Sequence, residues 1–232
     1  MPWPDVRGKR CLDIGTFDGF LAFELERRGA AEVLAVDLED HLEWDWPPDF
    51  ARADLPRDPG FSGPPKGDGF RLAKELLGSS VQWRAVSIYD LDPADIGTFD
   101  VVVVGSLLLH LRDPLRALEA VRRVTEGVFL SSDQIEAGLT IRSAKRPLYT
   151  LNGSGKDCQW FTFNAAGHER LLYAAGFGIE QRSKPFIIPF NQHPTRQRPT
   201  PRVLVRRAAQ RYLTRSSDIG VLHQALLARP RV

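Results

Sequence analysis

Nine consecutive residues, Leu12-Asp13-Ile14-Gly15-Thr16-Phe17-Asp18-Gly19-Phe20, carry the most suggestive chemistry in this chain. An apolar run ends at Gly15, a tight turn follows, and a helical pattern begins at Phe20. Where a strand hands over to a helix in this way, a residue without a Cβ lets a ligand approach the backbone. Asp13 puts a carboxylate at an apolar strand end, where burial demands a partner. A cationic amino group, met directly or through water, would supply one. Asp37 closes a second apolar run 22 residues after Gly15. Its two oxygens can accept both hydroxyls of a ribose, or the residue can simply form a turn.

The same segment excludes other chemistries. In a G-x-G-x-x-G turn the second glycine admits a pyrophosphate, and Phe17 stands at that position, which disfavours NAD and FAD. No GxxxxGK[ST] phosphate loop is present. No HExxH and no clustered Cys or His occurs, so no metal site is expected.

Further candidates lie downstream. His110 follows an apolar strand and can act as a general base, although HLRDP also reads as a structural turn leading into a helix. Trp44, Trp46, Trp160 and Phe161 can wall a planar substrate or anchor loops. Asp133 and Glu136 can orient an acceptor or form a solvated turn.

These residues need a scaffold that alternates strands and helices. Strands are expected at Arg10 to Ile14, Glu32 to Val36, Val81 to Val86, Phe99 to Val104, Val128 to Ser131, Phe177 to Arg182 and Arg202 to Val205. Helices are expected at Phe20 to Arg28, Gly69 to Leu77, Pro114 to Val124 and from an Asn164 cap to Ala175. The run FDVVVV marks a central parallel strand covered on both faces. The rhythm predicts an α/β fold, an open doubly wound sheet, mostly parallel with an antiparallel finish. Residues 44–67 and 139–163 break it and read as long loops able to cover a substrate. The expected division is a domain over 1–207 and a basic terminal segment over 208–232, with an amphipathic helix around Tyr212 and Leu213.

The composition, 43% hydrophobic and 26% charged, is that of an ordinary globular protein. Cys11 and Cys158 are too few for a disulfide framework. No apolar run is long enough to span a bilayer, so a cytoplasmic protein with no membrane partner is expected. Net charge is +2, but residues 1–100 carry 20 acidic and 11 basic side chains, against 9 and 20 in the remainder. From Arg182 onward, 11 Lys or Arg face one acid, Asp218. Such a tail can meet nucleic acid or be a solvated arginine-rich surface.

Together, LDIGTFDGF, AVDLED, SIYDL and FDVVVVGSLLLHLRDP resemble class I methyltransferases that use S-adenosylmethionine (SAM). LLLHLRDPLRAL and QWFTFN…LLYAAGF are similar to the tRNA wobble-uridine carboxymethyltransferases within that class. The resemblance covers roughly residues 8–182. It implies a Rossmann-like methyltransferase fold with SAM as cofactor and a small-molecule or tRNA acceptor. Asp13, Gly15, Thr16 and Gly19, with Phe17 between them, match the turn that binds the methionine part. Asp37 matches the ribose carboxylate, and Leu38 would flank the adenine. Ser87, Ile88 and Tyr89 match the loop that reads the adenine edge. Ser106 to Leu108 match the segment near the reacting methyl.

Three departures from the pattern stand out. Phe17 replaces the usual second glycine. Leu109 replaces the tyrosine that holds a carboxymethyl donor's extra carboxylate, which favours ordinary SAM. The usual amino-terminal helices over the substrate side are missing from this chain. A noncatalytic SAM-binding or regulatory subunit is therefore an alternative to an enzyme.

Overall fold

The computed structural model describes residues 1–48, 66–152, 158–189 and 200–231, apart from the side chain of Arg202. In chain order the elements begin with β1 (Arg10–Ile14), α1 (Phe20–Arg27), β2 (Glu32–Asp37), α2 (Asp68–Leu77) and β3 (Gln82–Ala85). Then come β4 (Phe99–Gly105), α3 (Pro114–Val124), β5 (Thr125–Gln134), α4 (Ala137–Arg142), β6 (Tyr149–Leu151) and β7 (Phe161–Phe163). The chain finishes with α5 (Ala165–Ala174), β8 (Phe177–Arg182), β9 (Phe186–Pro189), α6 (Pro201–Thr214) and β10 (Gly220–Pro230). No described helix is long and apolar enough to cross a membrane.

The main sheet runs β3-β2-β1-β4-β5-β10-β8, with β9 also on β10. The first five strands pair in parallel, and β10 is antiparallel to β5, β8 and β9. This is the expected doubly wound sheet with an antiparallel strand. Val101 to Val104 of β4 are buried on both faces. Their even side chains pack with Leu12, Ile14 and Phe129 under α3 and α5, and their odd ones with Cys11 and Leu130 under α1. Each such side chain contributes roughly 1.5–3 kcal/mol by leaving water.

Two expectations fail at the carboxyl end. Residues 202–205 are not a strand but the start of α6, whose Thr200 cap and Pro201 set a helical first turn. Residues 208–232 are not a separate segment, because β10 lies inside the sheet between β5 and the β8–β9 edge. Residues 220–228 carry no Asp, Glu, Lys or Arg, which permits a strand covered on both faces. Strand β5 is also longer than expected: it begins at Thr125, and beyond Ser131 it continues through buried Ser132 and Asp133 to Gln134. The 139–163 stretch contains most of α4 together with β6 and β7, and 49–65 of the 44–67 stretch lies outside the described residues.

Asn164, fully buried, ties α5 to the preceding segment. Its Oδ1 accepts the N–H groups of Leu148 and Gly167, at 2.9 and 2.7 Å. Its Nδ2 donates to the carbonyls of Ser143 and Arg146, both at 2.9 Å. Asn164→Ala removes four bonds, one to the buried Gly167 N–H and three to part-buried groups, and should cost roughly 2–4 kcal/mol of unfolding free energy in urea titration, whereas a loss below about 0.5 kcal/mol would show that these bonds are not made.

Candidate active site

Strands β1, β2 and β4 end side by side, and beyond their carboxyl ends lies a cavity of about 310 Å³. That volume is at the small end of the range for ligand pockets. Ile14 and Gly15 from β1, Asp37 and Leu38 from β2, and Gly105 to Leu107 from β4 form its floor. Ser87, Ile88 and Tyr89 form a second wall, and Trp44, Asp45, His110 and Leu111 complete the enclosure.

The turn after β1 is built from left-handed backbone at Gly15 (φ 72°), Phe17 (φ 50°) and Gly19 (φ 88°). A Cβ on Gly15 would stand 2.9 Å from Leu107 Cδ2, so only glycine keeps this wall of the cavity flat. Phe17 adopts the conformation that a glycine takes more easily. Its N–H donates to Asp37 Oδ2 at 2.8 Å, and its ring, half exposed, borders the cavity instead of filling it. The departure at position 17 therefore changes the side chain and leaves the turn left-handed. Gly19 is not in the cavity wall; a Cβ there would collide with Phe23 and Phe70 beneath the turn.

Asp37 is the most heavily engaged group in the site. Oδ1 accepts from Leu38 N–H at 2.7 Å and from the Lys66 ammonium at 2.6 Å. Lys66 is almost wholly buried and also donates to the Leu38 carbonyl. About three of the carboxylate's four acceptor positions are thus taken.

Asp13 and Thr16 stand just outside the cavity wall. Thr16 Oγ1 donates to Asp13 Oδ2 at 2.7 Å, while Asp13 Oδ1 is buried with no hydrogen-bond partner among the described residues. Burial pushes the Asp13 carboxyl up to about 7, and the charge of Asp37 adds to this against the pull of Thr16 and the Ala22 N–H. The orphaned oxygen, the flat glycine wall and the acid at the end of β2 fit a nucleoside that carries a cationic chain.

The segment after β4 is held from below. Asp133 Oδ2 accepts Leu107 and Leu108 N–H at 3.2 and 2.7 Å, and Oδ1 accepts Gln134 N–H at 2.8 Å. Asp133 is fully buried, so it shapes the floor and does not meet an acceptor as expected. Ser106 Oγ lies 2.6 Å from His223 Nε2 on β10, a neighbour that no local sequence pattern announces. Leu109 is buried in the core and off the cavity wall.

The roof depends on Asp45, which the sequence reading passed over. Its Oδ2 accepts the Tyr89 hydroxyl at 2.5 Å and Arg112 N–H at 2.7 Å, and its carbonyl accepts Trp160 Nε1. One residue thereby joins the chain after β2, the loop after β3 and the turn after β4. Trp44 lines the cavity, whereas Trp46 is buried behind it, donating to the His41 carbonyl at 2.6 Å. Trp160 is likewise an anchor, with Arg112 over its ring at 4.9 Å. Of the expected aromatic wall, Trp44 alone faces the site, and Trp46, Trp160 and Phe161 are absent from its lining. His110 Nδ1 is 2.7 Å from the Cys158 carbonyl. A carbonyl only accepts, so Nδ1 carries the hydrogen and Nε2 holds the lone pair of the neutral ring. Among the described residues no group of three His, Cys, Asp or Glu is placed to hold a metal ion.

The raised Asp13 carboxyl links stability to pH. Between about pH 4 and 7 the folded chain keeps a proton that the unfolded chain has lost, so this group's contribution falls as pH rises and levels off above about 7. Melting curves of wild type and Asp13→Asn should show the difference shifting against wild type across that window; a constant difference would place the Asp13 titration outside it.

Comparisons with known proteins agree with this geometry. A family model described as a methyltransferase domain matches residues 67–129. The ubiquinone biosynthesis O-methyltransferase of Neisseria meningitidis serogroup C is 30% identical over 118 residues, 50% of this chain and 39% of that protein. The match thus spans well under half of that relative's length. A SAM-dependent methyltransferase from Mesorhizobium loti superposes with a TM-score of 0.54 at 16% identity, covering 98% of this chain and 93% of that one. The Burkholderia thailandensis 1,6-didemethyltoxoflavin-N1-methyltransferase, solved with bound 1,6-didemethyltoxoflavin and S-adenosylhomocysteine (SAH), gives a TM-score of 0.56 at 17% identity, covering 97% of this chain and 72% of that one. With the strand order already described, the two superpositions show that this chain shares the fold of these SAM-dependent methyltransferases.

Proposed function

We propose that this chain transfers the methyl group of SAM to a hydroxyl of a small molecule. The observation that carries the reading is the cavity at the carboxyl ends of β1, β2 and β4, with Gly15 and Asp37 in its wall. When bound, the cofactor supplies a methyl group already activated on a sulfonium. The chain's task is then to position the partners and manage one proton.

Asp37 offers its carboxylate to the ribose hydroxyls, which take over acceptor positions from Lys66. Leu38 and Ile88 give apolar contact to the adenine. Gly15 admits the methionine chain, and Asp13 Oδ1 balances its amino group. Ser106, held by His223, and Leu107, held by Asp133, border the place where the methyl leaves. A hydroxyl acceptor must lose a proton, and His110, which lines the cavity with Nδ1 engaged by the Cys158 carbonyl, is the residue assigned to take it.

Support for oxygen as the acceptor comes from the O-methyltransferase relative and from this histidine. A carboxymethyl donor is a poorer fit, because Leu109 is buried and brings no donor to the cavity. A noncatalytic subunit would bind SAM yet have no use for an oriented base.

Two variants test the reading. Asp37→Ala should weaken SAH binding by roughly 1–3 kcal/mol in calorimetry, and unchanged affinity would remove Asp37 from the site. His110→Asn should keep SAH affinity while lowering methyl transfer from labelled SAM into small-molecule extract by about 10²–10⁴-fold. Equal transfer by both proteins would eliminate His110 as the base.

A further inference from the structure

The arginine-rich carboxyl-terminal region is not used by the cavity, and the structure shows how it is presented. Helix α6 packs inward through Ala209 and Leu213, against Ile135, Ala137 and Leu222, and through Gln210, which donates to the Gly220 carbonyl at 3.2 Å. Its outward side is apolar. Leu204, Val205 and Tyr212 are 51%, 71% and 75% exposed. With Ala208 they fall within an arc of about 100° on a helix of 3.6 residues per turn.

Exposed Arg211 borders this stripe, and exposed Arg215 follows the helix end in left-handed backbone; Arg207 is half-buried with its Nε enclosed, and Arg206 projects from the opposite side of the helix. Among the described residues none of the four is in an ion pair. Residues 182–217 contain no Asp or Glu. Ile141 on α4 and Ile188 on β9, two elements that pack against α6, are exposed as well. Arg142 adds another exposed cation on α4.

From this juxtaposition we propose that the outward face of α6 docks on an anionic phospholipid surface. An apolar stripe flanked by uncompensated cations is what a helix lying in the plane of a membrane interface presents. Each cation near an anionic leaflet contributes about 1 kcal/mol, and the aliphatic side chains gain by entering the acyl boundary. RNA would engage the arginines but leave Leu204 and Val205 in water. A second copy of the chain would oppose like charges across the stripe. The absence of a spanning segment concerns crossing a bilayer, so lying on one is compatible with it. The inference is independent of the methyl-transfer reading.

Co-sedimentation of the full chain with vesicles tests it. The chain should pellet with phosphatidylcholine vesicles containing phosphatidylglycerol, and not with phosphatidylcholine alone. A Leu204→Ser/Val205→Ser/Tyr212→Ser variant, with unchanged circular dichroism, should lose at least about tenfold in partitioning. Arg211→Gln/Arg215→Gln should lose about as much, and high salt should weaken wild-type binding. The proposal is overturned if wild type ignores both vesicles or if the triple variant partitions equally. It is also overturned if the triple variant shifts the chain from dimer to monomer, or if the face instead retains an RNA oligonucleotide.

Discussion

A half-buried carboxylate at the end of β2 is the point on which the site turns. Asp37 receives two backbone N–H groups and one ammonium, and those bonds fix three separate pieces of chain. The Phe17 bond holds the turn after β1 in its left-handed form. The Leu38 bond fixes the start of the next loop. The Lys66 pair pulls in the chain ahead of α2. A buried ion pair of this kind adds little net stability, because both charges lose water on burial. Its consequence is a site whose acid is charged, oriented and engaged before any ligand arrives. A ribose diol meets an exchange of partners at Asp37, which is cheaper than stripping water from a bare anion.

The rest of the site follows the same logic: buried acids hold backbone, and backbone makes the wall. Asp133 sits beneath the segment after β4 and accepts its N–H groups, so the floor is positioned by a residue the ligand never meets. Asp45 does the equivalent for the roof, gathering Tyr89, Arg112 and Trp160. Burial raises the Asp133 carboxyl to about 7, even though three N–H donors pull it down. His223, also buried, is held below the ordinary range, which keeps it neutral and able to accept from Ser106.

What the sequence disclosed, and what it hid, divides by the range of the interaction. The β1 turn, Asp37 and the β4 run were legible because each is a local pattern: glycines at left-handed positions, an acid at a strand end, four valines in a row. Strand β10 was hidden because arginines surround it and its pairing partners lie dozens of residues away. The run Arg202-Val203-Leu204-Val205 has strand-like composition, yet Thr200 and Pro201 decide for a helix. Asp133 read as an acid for an acceptor or as part of a solvated turn because three polar residues in succession normally end a strand; here His168 meets Ser131 and backbone N–H groups meet Asp133 inside. Lys66 gave no signal at all, since its partner precedes it by 29 positions across a Pro- and Gly-rich stretch.

The most direct measurement is a crystal structure of the chain grown with SAH. The account predicts a nucleoside in the cavity, its ribose hydroxyls on the Asp37 carboxylate, Lys66 moved off Oδ1, and the sulfur end toward Ser106 and Leu107. A cavity closed by the Phe17 ring with the Lys66–Asp37 pair intact, or a nucleoside bound elsewhere on the molecule, would contradict it.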